Sequence, residues 1–220
     1  MAIDSFILQI LPELLRGLVI TFELTLLGLI IGFFLGLSAA LAKAYGNRPL
    51  RYVATLYTEV IRGSPLLAQL FIIYYGLPAA GVVFDRFTAA YIALAINSGA
   101  YQSEIFRGAI QAVSSGQVEA ARSMGMSKIQ AIGHVVLPQA LRLSIPPFSN
   151  ETVYVLKGTS IVFLVAVLDL FGTGRVIIGQ TLKPLETYLI IALIYIVIVF
   201  GLSRLFAFVE KKYRIPGSIT

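Results

Sequence analysis

The sequence predicts an all-α membrane protein of about five transmembrane helices, folded as one domain over residues 1–220. Three observations carry this. Charged residues make up 13% of the chain and hydrophobic ones 58%, whereas a soluble domain carries about 25% charge. The mean hydropathy is +0.87. The uncharged stretches match the length needed to cross a bilayer, about 20 residues: 24–42, 63–84, 87–103 and 187–203, with a fifth apolar region over 143–168 interrupted by Glu151 and Lys157. The chain has no cysteine, which excludes disulfides and thiolate metal sites. No basic segment precedes the first apolar run, so no cleaved signal peptide is expected.

The first span carries Gly28, Gly32 and Gly36. A small residue at every fourth position leaves a stripe along which a neighbouring backbone can approach closely. Gly46-Asn47-Arg48-Pro49 reads as a turn. The second span opens at Glu59 and is expected to bend at Pro65, because proline removes a helical hydrogen bond. The third runs from about Phe87 to about Ile110. Ser114-Ser-Gly116 then breaks the chain, and a short surface helix over Gln117–Met124 ends at Gly125. The fourth span begins after Lys128 and contains Pro138, Pro146 and Pro147. Residues 158–184 carry Asp169, Gly172, Gly174, Gly179 and Pro184, and read as a partly inserted or outward-facing segment that does not fully cross. The fifth span, from Thr187 to about Phe208, ends in Glu210-Lys-Lys-Tyr-Arg214.

Basic residues fix the orientation. Lys43, Arg48 and Arg51 lie between spans one and two, Arg107, Arg122 and Lys128 between three and four, and Arg204, Lys211, Lys212 and Arg214 at the end. The positive-inside rule then puts the N-terminus outside and the C-terminus in the cytoplasm. The net charge of +6 does not point to nucleic acid, since its basic residues flank lipid spans rather than form one groove.

The most informative stretch is Glu119-Ala-Ala-Arg-Ser-Met-Gly-Met126, followed by Val135-Val-Leu-Pro-Gln139. Ala120, Ala121 and Gly125 leave little side chain, so a helix built from them can seat in a partner's groove. Glu119 near the helix start suits the positive end of the helix dipole. The loop over about 112–130 is therefore a candidate protein-docking element. A plain amphipathic surface helix lying on the membrane is the simpler alternative. No phosphate-binding G-x4-G-K-[ST] pattern occurs, so the chain holds no ATP of its own and is not expected to be an enzyme. The single histidine, His134, has no cysteine or second histidine beside it, and no metal site is expected.

The docking stretch resembles the E-A-A-x3-G…L-P loop of ATP-binding cassette importer permeases, and the resemblance extends further. Glu59-Val-Ile-Arg-Gly-Ser-Pro-Leu-Leu-Ala-Gln-Leu70 is similar to the E-x-x-R-G-T-P-L-L-x-Q-L segment of the polar amino acid permease family, with Ser64 where threonine is usual. Gly99-Ala-Tyr-Gln-Ser-Glu-Ile-Phe-Arg-Gly-Ala-Ile-Gln111, Leu137-Pro-Gln-Ala-Leu-Arg142 and Lys157-Gly-Thr-Ser160 also match, Gly158 replacing a common aspartate. The resemblance implies the type I importer permease fold and a dimeric pore, homodimeric or completed by a paralogue. It implies two cytoplasmic ATPase subunits, which bind ATP and Mg, with Glu119, Ala120, Ala121 and Gly125 as their docking residues. It also implies an external amino acid-binding protein and amino acid uptake across a bacterial inner or plasma membrane.

The solute site can be argued from charge. Ionisable groups inside a membrane line a cavity or pair with one another. Asn97, Tyr101 and Glu104 fall at i, i+4 and i+7 and share a helix face. Asn150 and Glu151 follow Pro146-Pro147, which can free carbonyls within the membrane. Two carboxylates with no buried lysine on the same faces favour a cationic guest: arginine, lysine or histidine. Neutral polar amino acids such as glutamine are the alternative. Arg107, three residues after Glu104, offers an ordinary helical ion pair instead of a solute contact. Two other classes remain: a stand-alone channel or secondary carrier, which would usually show internal repeats and more spans, and a non-transporting anchor for an ATPase.

Overall fold

The computed structural model describes residues 3–213, and Arg214 lies outside them. Every regular element among the described residues is helical. Helix α1 (Ile3–Tyr45) is 43 residues long. At 1.5 Å per residue that is about twice the hydrocarbon thickness. The expectation of a first span starting at Leu24 is thus extended: residues 3–23 continue the same helix, although Glu13, Arg16 and Glu23 interrupt its apolar run.

Helix α2 (Arg48–Arg62) starts on Asn47, whose side chain accepts from the Leu50 amide, with Pro49 in the first turn. Glu59 to Arg62 form the last turn of this amphipathic helix, ahead of the expected bend. Ser64 and Pro65 end it, and Pro65 caps helix α3 (Leu66–Phe71). The chain turns by 104° between Arg48–Arg62 and Leu66–Ala80. Proline does more here than bend a helix. Its missing amide and fixed φ start a new one in a new direction. Beyond α3 the helix widens to a π-turn over Ile72–Gly76 and tightens over Leu77–Ala80, ending at Gly81 with φ +81°.

Helix α4 (Arg86–Gln111) begins on Asp85, whose carboxylate accepts from the Phe87 and Thr88 amides. The Thr88 hydroxyl also bonds it and holds the Asp85 carboxyl below its ordinary value. Helix α5 (Ser115–Ser123) is the expected surface helix, begun slightly earlier. It closes with Gly125 at φ +87° and the Met126 amide bonded to the Ala121 carbonyl at 3.1 Å, a turn that favours glycine. A nearly continuous helical run follows. It comprises α6 (Lys128–Ala131), a π-turn over Ile132–Val136, α7 (Leu137–Leu143) and α8 (Ile145–Gly158), tightening over Thr159–Val165. Pro138 and Pro146-Pro147 sit in the first turns of α7 and α8, where their missing amides cost little.

Helix α9 (Leu170–Thr181) has 12 residues, about 18 Å, too short to cross. It is capped by Asp169, which is fully buried rather than facing water. Helix α10 (Pro184–Tyr213) has 30.

By length and composition, α1 and α10 can each cross a membrane, and each of two bent pairs, Arg48–Arg62 with Leu66–Ala80 and Ile145–Val165 with Leu170–Thr181, can supply one more. Helix α4 is long enough but carries buried Asn97, Ser98, Gln102 and Ser103, so it is no purely apolar rod. The expected glycine stripe is where α1 meets it. A Cβ on Gly28 would lie 3.2 Å from Leu94, one on Gly32 2.8 Å from Gln102, and one on Gly36 2.8 Å from the Gly99 carbonyl. Three glycines cost about 1 kcal/mol each against alanine, and the contact with α4 offsets it.

Candidate functional site

Helix α4 carries three of the candidate solute residues, Asn97, Tyr101 and Glu104, and α8 carries the other two, Asn150 and Glu151. Asn97 is buried, and its side-chain amide donates to Gln69 Oε1 at 3.1 Å. Gln69 in turn donates to the Ile61 carbonyl at 2.7 Å, the Ser64 carbonyl at 3.1 Å and Ser64 Oγ at 2.9 Å. The Ser64-Pro65 elbow is thereby satisfied at its freed carbonyls and fastened to α4, as a break inside a membrane domain requires. Ser98 donates to Glu151 Oε1 at 2.7 Å, and Gln102 donates to Ser98 Oγ at 2.9 Å and the Leu29 carbonyl at 3.2 Å. This polar chain joins α8, α4 and α1.

Glu151 is only 5% exposed and has that one hydrogen-bond partner within the described chain. Tyr101 lies beside Tyr154, ring centroids 5.4 Å apart, and the Arg62 guanidinium stands 5.4 Å from the Tyr101 centroid. Glu151 and Tyr154 are one helical turn apart on α8. Asn97, Tyr101 and Glu151 are thus gathered where the end of α2, the start of α3, α4 and α8 meet. Asn150 points outward and is exposed.

Glu104 stands apart. Lys43 donates to its Oε1 at 2.7 Å, and Arg107 donates to its Oε2 from Nε at 2.9 Å and Nη2 at 2.7 Å. The Lys43 side chain is 7% exposed. The premise that no buried lysine faces the two carboxylates is therefore corrected. Lys43, sixty-one residues away in sequence, cancels one of them. The ion pair expected between Glu104 and Arg107 is present.

Sequence reasoning did not single out Ser98, Gln102, Gln69 or Arg62 for this region. Ser98 and Gln102 at i and i+4 form a second polar face beside that of Asn97 and Tyr101. That face was the available signal.

In the candidate docking loop, Glu119 is the fifth residue of α5, not in its first turn, so the dipole argument for it does not hold. Glu119, Ala120 and Gly125 are exposed, whereas Ala121 is 7% exposed and packs inward. The smallness of Ala121 serves the seating of α5 on its own chain. Ala120 and the apolar side chains of Met124 and Ile129, 84% and 82% exposed, face out. His134 is exposed too, its Nδ1 3.0 Å from the Gln130 carbonyl.

Residues 28–215 match the family model described as "binding-protein-dependent transport system inner membrane component". Among curated relatives, the L-cystine transport system permease protein TcyB of Bacillus subtilis (strain 168) is 43% identical over 202 residues, covering 91% of this chain and 86% of its own. The glutamine transport system permease protein GlnP of Escherichia coli (strain K12) is 36% identical over 213 residues, covering 96% and 97%. A solved structure described as an amino acid ABC transporter with histidines superposes with a TM-score of 0.88 at 42% identity, covering 94% of this chain and 97% of that one. The methionine transporter MetNI, in an inward-facing conformation, shares the fold at a TM-score of 0.74 and 17% identity, covering 95% and 96%.

Proposed function

The chain belongs to the family of binding-protein-dependent transport system inner membrane components, and from that premise we propose that it is the membrane subunit of an ATP-driven amino acid importer. The reading includes five spans with the N-terminus outside and the C-terminus in the cytoplasm of a bacterial inner or plasma membrane. Two copies, or one with a paralogue, form the pathway. Two ATPase subunits bind ATP and Mg and press on α5 and its flanking turn through Glu119, Ala120 and Gly125. An external binding protein delivers the solute. Closure of the ATPases drags the two α5 helices together, and the differential interaction supplied by ATP shifts the pathway from inward- to outward-facing.

The observation that carries the substrate reading is Glu151: a buried carboxylate with one hydroxyl partner, beside Asn97 and Tyr101. A buried charge without a counter-charge is costly, and a cationic guest would offset that cost as it arrives. We assign this carboxylate to the positive side chain of arginine, lysine or histidine, with Asn97 and Tyr101 completing the site. Asn150 and Glu104 fall outside this reading, one being exposed and the other already paired at both oxygens. A second reading, a neutral polar guest such as glutamine, is favoured by the same pairing of Glu104. A single free carboxylate suits the α-ammonium group of any amino acid, and Arg62 beside Tyr101 suits its α-carboxylate.

Uptake of arginine and of glutamine by the reconstituted complex, with and without Glu151→Gln, separates them. The cationic reading expects arginine uptake to fall about tenfold or more, the factor that ~1.4 kcal/mol represents, with glutamine affected less. Equal losses favour the second reading. Undiminished uptake of both removes Glu151 from the site.

A further inference from the structure

We propose that Glu104 is a positioning residue for energy coupling: by gripping Lys43 of α1 and Arg107 of its own helix, it makes the loop-side ends of α1, α2 and α4 one body with the cytoplasmic loop. The inference rests on the importer reading above and adds to it.

Both Glu104 oxygens are occupied. Oε1 takes the Lys43 ammonium and Oε2 takes Arg107 twice, all at 2.7–2.9 Å. Lys43 also donates to Thr58 of α2, whose hydroxyl in turn donates to the Ala54 and Thr55 carbonyls at 3.1 and 2.9 Å. One ammonium thus ties three helices. Arg107 reaches on to Gln111 Oε1 at 2.9 Å, the last residue of α4. Helix α5 starts four residues later, at Ser115. From the other side, Lys128 at the start of α6 stands 5.8 Å over the ring of Tyr45, the last residue of α1. The loop is therefore held at both of its ends, to α4 directly and to α1 through an aromatic contact.

A paired carboxylate that is itself partly exposed contributes little net stability, yet it fixes geometry, and removing it strands the buried Lys43 ammonium. Glu151 offers the contrast, with one neutral partner where Glu104 has two cations. The first has no counter-charge, and the second is matched by its own chain. A push on α5 arrives at α4, and the Glu104 grip carries it to the end of α1 beyond the glycine seam, seven residues past Gly36, and through Lys43 to Thr58 of α2.

The test reads solute accumulated per ATP hydrolysed, and the half-saturating solute concentration, in liposomes holding the complete complex, with labelled arginine and glutamine as probes. Glu104→Gln and Lys43→Met are each expected to lower the ratio about tenfold, within the usual range of coupling between sites, while the half-saturating concentration stays within about twofold. Glu104→Asp should restore much of the ratio, and the double variant should be no worse than either single one, as for one shared interaction. Thr58→Val keeps both charges and serves if the charge variants fail to assemble. It is expected to lower the ratio in the same direction by a smaller factor. A raised half-saturating concentration at an unchanged ratio would make Glu104 a solute contact and overturn the inference. So would a ratio unchanged in Glu104→Gln, or in Thr58→Val where only that variant assembles. An unmodified complex that hydrolyses ATP but accumulates neither probe would count against the importer reading itself.

Discussion

Helices α4 and α10 are both long enough to cross a bilayer, and they are built in opposite ways. Of the 26 residues of α4, 14 are buried, and they are mostly small or polar: six alanines, Gly99, Asn97, Ser98, Gln102 and Ser103 among them. Of the 30 residues of α10, two are buried, Thr187 and Ile191, while Leu189, Leu193, Ile196, Val197 and Phe200 stand in the open. In water this arrangement would be inside out. In lipid the apolar face needs no cover, and helices are held by close backbone approach and hydrogen bonds instead. High hydropathy therefore marks the periphery of this molecule, and the stretch where hydropathy falls marks its packed interior.

The difference can be broken most severely at the α1–α4 seam. Gly36→Leu would drive a side chain into the Gly99 carbonyl and the Gln102 Cβ, both 2.8 Å from where its Cβ must sit. A loss of about 3 kcal/mol is expected, the upper end of ordinary overpacking, seen as a large drop in the thermal midpoint of the purified protein in detergent. A lesser effect is expected at the elbow. Gln69→Leu removes three donated bonds and leaves the Asn97 amide unpaired. A cost of about 2 kcal/mol follows from a buried polar group left unsatisfied. The smallest effect belongs to α10. Leu193→Ala, at a position 60% exposed, should shift stability by no more than about 0.5 kcal/mol. A Leu193 variant as damaging as Gly36→Leu would mean that α10 is packed against something as firmly as α4 is.

Much of this plan is legible in the residues, for identifiable reasons. The glycine stripe, the break at Pro65, the surface helix closed by Gly125 and a segment within 158–184 too short to cross all follow from rules that act over a few residues. What is not legible is long-range. Lys43 reads as one more basic residue near a membrane end, and only its approach to Glu104 across sixty-one residues shows that it is buried and paired. Ser98 with Glu151, and Asn97 with Gln69, are likewise set by helix packing rather than by spacing. The first half of α1 was obscured for a different reason. Three charges interrupt its apolar pattern, yet Phe6, Ile10 and Leu14 pack with Leu170, Ile177 and Ile191 and keep it helical. Ala121 shows the limit of reading residue size alone, since smallness inside the candidate docking stretch served the chain's own packing.

The absence of cysteine allows a direct test of whether the polar side of α4 is the solute's path. Tyr101→Cys and Leu193→Cys would be introduced singly into the reconstituted complex and exposed to a water-soluble maleimide during ATP turnover, with and without arginine or glutamine. A water-lined path along α4 predicts that position 101 labels and is protected by solute, while position 193 stays unlabelled. Labelling at 193 with none at 101 under any condition would contradict it.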